Sequence, residues 1–317
     1  MKIVYCHLSH SIPGHLVTSQ STYSFDSVPD YFWTSVKQTR HFHKGEIVAI
    51  LPRKDIEANT ERIAEFNIKA VACEPLQYSH SFYNLLNTSK STFPTHVGDT
   101  FWLTTFFRLI VVAEWIKQED AKNVLHIEYD NLIYGNPDLL GLNLNTATGE
   151  RGLAFTTVGP SLASAGIIYF RDWNAADLLI SYFEKLIYKG EEECRKYVRG
   201  YDFITEMIML DLMLQYDPMI FLLPTTPMDN NIETVGNCLF DGASWGQYLG
   251  GSNNGHPPGK TAAFQHHWIG QKILVDELDA VFGEDKKPWV KHHGDGYPLF
   301  NLHIHNKPMM SKFVSYD

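Results

Sequence analysis

An α/β chain built on a parallel, helix-covered sheet is predicted by three observations near its start. Short runs rich in β-branched and apolar residues, KIVYCHL, EIVAILP and IKAVAC, have the unbroken hydrophobicity of central strands. Between them, DYFWTSVKQTRHF and DIEANTERIAEFN repeat apolar residues at helical spacing. A long helix candidate, GDTFWLTTFFRLIVVAEWIKQED, then feeds directly into a further buried strand, NVLHIEYD.

The elements can be justified in order. Asp99 or Thr100 is placed to cap the long helix, and its apolar residues cover most of its circumference, which predicts burial. After residue 150, SAGIIYFRD reads as another buried strand preceded by the small residues Ser164, Ala165 and Gly166. NAADLLISYFEKLIY and YDFITEMIMLDLMLQY read as helices. The region from about 225 to 300 is richer in Gly, Pro, Asn and His, centred on FDGASWGQYLGGSNNGHPPG. It keeps Phe240, Trp245 and Tyr248, large aromatics that a flexible linker would lack, so it reads as functional loop. A single domain over 1–317 is predicted, with an elaborated second half.

Composition narrows the function. Lys and Arg total 26 against 36 Asp and Glu, a formal net charge of -10, and no basic run collects anywhere. That speaks against general nucleic-acid or anionic-membrane binding. Cys6, Cys73, Cys194 and Cys238 show no metal or redox spacing, which favours reduced thiols and a cytoplasmic setting. The start is too short and polar for a signal peptide. The longest apolar stretch, LIVVAEWI, is interrupted by Glu114 and preceded by Arg108, so no integral membrane segment is expected. Peripheral association with a membrane stays open.

Glu128 and Asp130 stand two residues apart where a buried strand ends. Carboxylates that close repel unless a cation or a shared proton lies between them. Ligands of open parallel sheets bind beyond the carboxyl ends of the strands, which is where this pair should lie. Such an arrangement suits Mg²⁺ or Mn²⁺; equally, Asp130 and Asn131 could form a turn on their own backbone. In the tail, PLFNLHIHNKPMMSKF, extended alternation would put His303 and His305 on one face, with Lys307 two residues on. Imidazole suits Mn²⁺ better than Mg²⁺, and an ammonium could neutralise a diphosphate.

Taken in order, NVLHIEYDNLIY, SAGIIYFRD, FDGASWGQYLGG and NLHIHNK resemble the nucleotide-sugar glycosyltransferases of the GT-A fold, over most of the chain. The resemblance implies a mixed, largely parallel sheet flanked by helices. A Rossmann-like nucleotide-sugar-binding half (1–135) would join an acceptor half (136–317) carrying a metal- and phosphate-binding tail. The family's Asp-x-Asp corresponds to Glu128-Tyr129-Asp130, so the first acid departs from the usual type. By the same resemblance Asp130 is the direct ligand of Mn²⁺ or Mg²⁺, and Glu128 reaches the metal through water or holds the ribose. His303 or His305 would be the third ligand, and Lys307 would contact the diphosphate. Arg108 would either lie near the donor or pair with a surface acid. The end of the first strand, at Tyr5, Cys6 and His7, would cradle the nucleobase through backbone groups, and Tyr129 is a further donor-binding position.

The implied reaction is transfer of a sugar from a nucleoside diphosphate, with a UDP-sugar favoured, to a glycan, glycolipid or protein acceptor. Charge that develops on the departing diphosphate is stabilised by a cation and a lysine. An inverting enzyme also needs a carboxylate base. Asp241 is the first candidate and Asp202, which reads more readily as a helix cap, the second. Gly166, Gly242, Trp245 and Tyr248 are the expected substrate-binding positions. Two alternatives stand beside this: a sugar nucleotidyltransferase, and a catalytically silent carbohydrate-binding protein of the same fold. The first would carry a basic, glycine-rich loop after the first strand, whereas HLSHSIPGHLVTS has one glycine and no Lys or Arg.

Overall fold

The computed structural model describes residues 1–8, 11–12, 15–16, 27–80, 82–84, 99–159, 162–195, 205–247, 249, 267–268, 271–272 and 278–316. Seven strands make the main sheet: β1 (Lys2–Cys6), β2 (Ile47–Leu51), β3 (Ile68–Ala72), β4 (Val124–Ile127), β6 (Leu153–Gly159), β7 (Leu162–Phe170) and β8 (Phe221–Leu222). A separate strand, β5 (Asn131–Ile133), follows β4 after a turn. The spatial order is β8-β6-β7-β4-β1-β2-β3. β1 pairs in parallel with both β2 and β4, β2 with β3, and β6 with β8, while β7 runs antiparallel to β4 and β6. The sheet is thus mixed and largely parallel, as expected.

Alternation along the strands divides the core. Ile3, Tyr5, Ala49, Leu125 and Ile127 face one side, packed by α1 (Asp30–Phe42) and by Leu140 and Leu144. Val4, Cys6, Val48, Ile50 and Val124 face the other. The long helix α3 (Asp99–Gln118), with α5 (Trp173–Arg195) and α6 (Glu206–Tyr216), covers that second side. Residues 105–116 are all buried, so the helix lies inside the protein as its sequence predicts.

Three departures have local causes. DIEANTERIAEFN lies across two short helices, Arg53–Ala58 and Thr60–Glu65, which together form α2, because Asn59 sits outside helical geometry and its side-chain amide donates to the Asp55 carbonyl at 2.8 Å. Pro137–Ala147 is a further helix, α4, with Asn136 accepting the Asp138 N–H. In the tail, only Asn301–His303 is strand; Pro308 opens a 3-10 turn over Lys307–Phe313 and ends the extended alternation before it reaches Lys307.

The tail strand, β12, follows a three-stranded antiparallel sheet of β9 (Asp279–Phe282), β10 (Pro288–His292) and β11 (Asp295–Pro298). It pairs antiparallel with β5, His303 opposite Asn131. This ladder carries the end of the chain to the acid pair. No helix among the described residues is long and apolar enough to cross a membrane. Cys6, Cys73 and Cys238 are free thiols; burial pushes Cys6 and Cys238 up to about 12, against a milder opposing pull from Arg108 and from backbone hydrogen bonds respectively.

Candidate active site

The chain runs from β1 outward to β2 and β3, then returns to the other flank of β1 as β4. That reversal is the place where open α/β sheets leave a crevice at the strand ends. His7 lies at the end of β1 and Glu128 at the end of β4. The His7 N–H donates to the Ile50 carbonyl at 3.0 Å, and its Nδ1 is 3.1 Å from the Tyr129 hydroxyl.

The pattern E-x-D is explained by the two faces of the sheet. Tyr129 turns towards α1, its ring 5.6 Å from those of both Tyr31 and Phe32. Burial pushes its hydroxyl up to about 12 despite the nearby Arg108 charge. Glu128 turns instead towards α3, where the enclosed Arg108 guanidinium donates to its Oε1. Asp130 Oδ2 accepts from Lys307, which the tail turn supplies. The second oxygen of each acid faces the His303 ring: Nε2 is 3.2 Å from Asp130 Oδ1 and 3.5 Å from Glu128 Oε2.

Glu128, Asp130 and His303 each offer one ligand atom, all within 4.8 Å of one another. Two carboxylate oxygens and one imidazole nitrogen are a donor set suited to a divalent cation such as Mn²⁺. Each acid's remaining oxygen is already oriented by a base, so the metal-facing atoms converge. His303 is therefore the histidine that joins the acids. His305 packs its ring edge-on to that of His303, with centroids 5.0 Å apart, and is not in the group.

Electrostatics agree with this arrangement. Burial alone would raise the Asp130 carboxyl, yet His303 and Lys307 together hold it well below the usual carboxylate range. On β4, two residues before Glu128, His126 is fully enclosed, and burial, reinforced by Arg108, pushes it down to about 3. Its Nδ1 lies 3.0 Å from the Val4 carbonyl. Glu206, at the start of α6, is also buried and accepts from the Thr105 hydroxyl at 2.8 Å; burial raises its carboxyl, and that hydrogen bond and, to a lesser degree, Arg108 partly offset it. No periodic or motif signal marked Glu206 or Thr105 in the sequence.

Asp241 occupies a different environment from the one a base requires. It is 0 % exposed, and its carboxylate accepts four backbone N–H groups. Ser244 and Trp245 donate to Oδ1 at 2.6 and 2.9 Å, and Gly246 and His303 to Oδ2 at 2.7 and 2.8 Å. About four acceptor positions are all that a carboxylate has. None is left for an acceptor hydroxyl, so the expected role as base is corrected.

Trp245 is likewise core: 2 % exposed, it donates Nε1–H to the Thr225 carbonyl at 2.9 Å instead of presenting a face to a sugar. At Gly242 a Cβ would lie 2.5 Å from Thr156 Oγ1, so this glycine permits close packing on β6. Gly166 belongs to the site in another way. A Cβ there would lie 2.9 Å from His303 Nδ1, so the missing side chain makes room for the imidazole. Asp202 and Tyr248 lie outside the described residues.

No family model and no curated protein matches the sequence. Solved structures do. Mouse xyloside xylosyltransferase 1, in its apo form, is 7% identical, with 74% of this chain and 92% of that chain covered and a TM-score of 0.49. The galactosyltransferase LgtC, in complex with donor and acceptor sugar analogs, is 17% identical over 71% of this chain and 73% of its own, with a TM-score of 0.40. A cytidylyltransferase from Leptospira borgpetersenii serovar Hardjo-bovis is 9% identical over 69% and 95%, with a TM-score of 0.32. At such identities and scores, the chemistry of this chain has to be read from its own side chains.

Proposed function

We propose that this chain is a metal-dependent glycosyltransferase that uses a nucleoside-diphosphate sugar, with a UDP-sugar favoured, and a glycan, glycolipid or protein acceptor. The observation that carries the proposal is the convergence of Glu128 Oε2, Asp130 Oδ1 and His303 Nε2 at the carboxyl ends of β1 and β4, with a basic side chain on the far oxygen of each acid.

Asp130, His303 and Glu128 would hold the cation, which when bound supplies Lewis-acid charge neutralisation for a leaving diphosphate. The two bases divide the remaining work. Arg108 has only 9 % of its side chain exposed and keeps Glu128 turned towards the site. Lys307, at 29 %, is the cation open to a phosphate. His7 and Tyr129 border the same crevice and would meet the nucleoside. With the Asp241 oxygens filled, Asp202 is the candidate base if the reaction inverts configuration; a retaining reaction requires none.

A thermal-shift panel of UDP, GDP, CMP and dTDP, each with Mn²⁺, Mg²⁺ or EDTA, tests the proposal on wild type and Asp130→Ala. A ligand that binds only the folded state raises stability by RT ln(1 + [L]/Kd). A metal-dependent shift with a nucleoside diphosphate, lost in the variant, is the expected result. No shift with any nucleotide, or an equal shift in both proteins, would reject it. Slow hydrolysis of the matching nucleotide sugar would then separate an enzyme from a silent binder.

A further inference from the structure

His303 is the one candidate ligand delivered from the far end of the chain, and its ring is not steered in the usual manner. A metal-binding imidazole ordinarily donates its second nitrogen to a carboxylate or carbonyl, which sets its orientation. Here Nδ1 is buried and has no hydrogen-bond partner among the described residues. Its Nε2 faces Asp130 and Glu128, and its main chain is held on both sides: the His303 N–H donates to Asp241 Oδ2 at 2.8 Å, and the next amide, of Ile304, donates to the Asp130 carbonyl at 2.9 Å.

Asp241 is the hub of a buried polar set that reaches the segments carrying His303 and Glu128. Besides the amides of Ser244, Trp245, Gly246 and His303, it engages Asn301 twice. The Asp241 N–H donates to Asn301 Oδ1 at 3.0 Å, and Asn301 Nδ2 donates to the Asp241 carbonyl at 2.8 Å. Asn301 Nδ2 also donates to Asn131 Oδ1 at 2.7 Å, and Asn131 Nδ2 donates to the Gly166 carbonyl at 3.2 Å. That same carbonyl accepts the Glu128 N–H at 3.0 Å. Asp241, Asn301 and Asn131 are all fully enclosed, where hydrogen bonds are strong and an unmade one is costly.

We infer that Asp241 is a positioning residue for His303: acting through the main chain, its carboxylate sets the imidazole against Glu128 and Asp130 and ties the turn beginning at Ser244 to the metal-binding segments. This rests on the metal reading proposed above. It also requires a carboxylate, because only an all-acceptor group satisfies four amides at once.

Two substitutions strike this junction from opposite sides. Asp241→Asn preserves size but replaces one acceptor with a donor. Gly246→Ala keeps Asp241 but adds a Cβ 2.8 Å from Asp241 Oδ2 and from the His303 carbonyl oxygen. Mn²⁺ affinity is measured by electron paramagnetic resonance on wild type, Asp241→Asn, His303→Ala and the double variant, and the His303 ring ¹⁵N resonances are recorded without metal.

Asp241→Asn is expected to bind Mn²⁺ about 10- to 100-fold more weakly while still unfolding cooperatively, to shift the His303 resonances, and to add no further loss in the His303→Ala background. Unchanged affinity, or an equal loss in the His303→Ala background, would overturn the inference. Should Asp241→Asn fail to fold, Gly246→Ala carries the same expectations. Should wild type bind no Mn²⁺, the metal reading fails, and the His303 resonances decide alone: moved in the variant, positioning stands; unmoved, it falls.

Discussion

The loop at Asp241–Gly246 and the turn at Glu128–Asp130 both place carboxylates after an apolar segment and treat them in opposite ways. At Asp241 four amides occupy both oxygens, and nothing of the side chain reaches solvent. At Glu128 and Asp130 one oxygen of each is held by a base, and the other is turned towards an imidazole. The first arrangement spends its acceptor capacity on the fold; the second keeps part of it for a ligand. A carboxylate's role is thus set by the donors around it and not by the glycines or acids that flank it in sequence.

The largest effect should come from emptying the saturated carboxylate. Asp241→Ala leaves four buried amides without their acceptor and is expected to cost about 4 kcal/mol, read from urea unfolding midpoints. A loss under about 1 kcal/mol would show that water or rearrangement satisfies those amides and would erase the contrast between the two regions. Gly166→Ala comes next. Its Cβ would crowd His303 Nδ1 at 2.9 Å and Ser164 Oγ at 3.1 Å, at an expected cost of about 1–3 kcal/mol and with weakened Mn²⁺ binding. Full retention of both stability and binding would mean that the ring does not need this space.

Lys307→Met sharpens the ligand-facing half. Despite the opposing effect of burial, His303 and Lys307 hold the Asp130 carboxyl below its usual range. A depressed carboxyl contributes stability that is fully present above its unfolded value, about pH 4, and is lost as pH falls through the folded value. Removing Lys307 should raise the folded value and shrink the stability difference between about pH 7 and about pH 3, measured in EDTA. An undiminished difference would assign the effect to His303 alone. The smallest change is expected for His305→Ala, with Mn²⁺ affinity within about threefold of wild type. A large loss there would bring His305 into the ligand set.

Much of the frame was legible because it follows local pattern. KIVYC, IVAIL, IKAVA and VLHI are the strands their continuous hydrophobicity suggests, and Asp30–Phe42 is the helix its periodicity suggests. Glu128 and Asp130 could be placed because strand ends in open sheets are where ligands collect. Less was legible where the outcome depends on pairing across the chain. Only the β5–β12 ladder shows that His303, and not His305, meets the acids. Asn131 and Asn301 carry no periodic signal, and Asp241 resembles a catalytic acid until its four amide partners are known. Trp245 was misread for a related reason: an aromatic among glycines looks exposed, yet this one fills the core beside Leu302 and Met310.

Crystals of the protein soaked with MnCl₂ and UDP, with data collected to reveal the anomalous scattering of manganese, would test the central claim most directly. The expected result is one strong peak among Glu128, Asp130 and His303, with Asp241 still bound to its four amides. A peak at another set of residues, or none at this turn while UDP is bound, would contradict it.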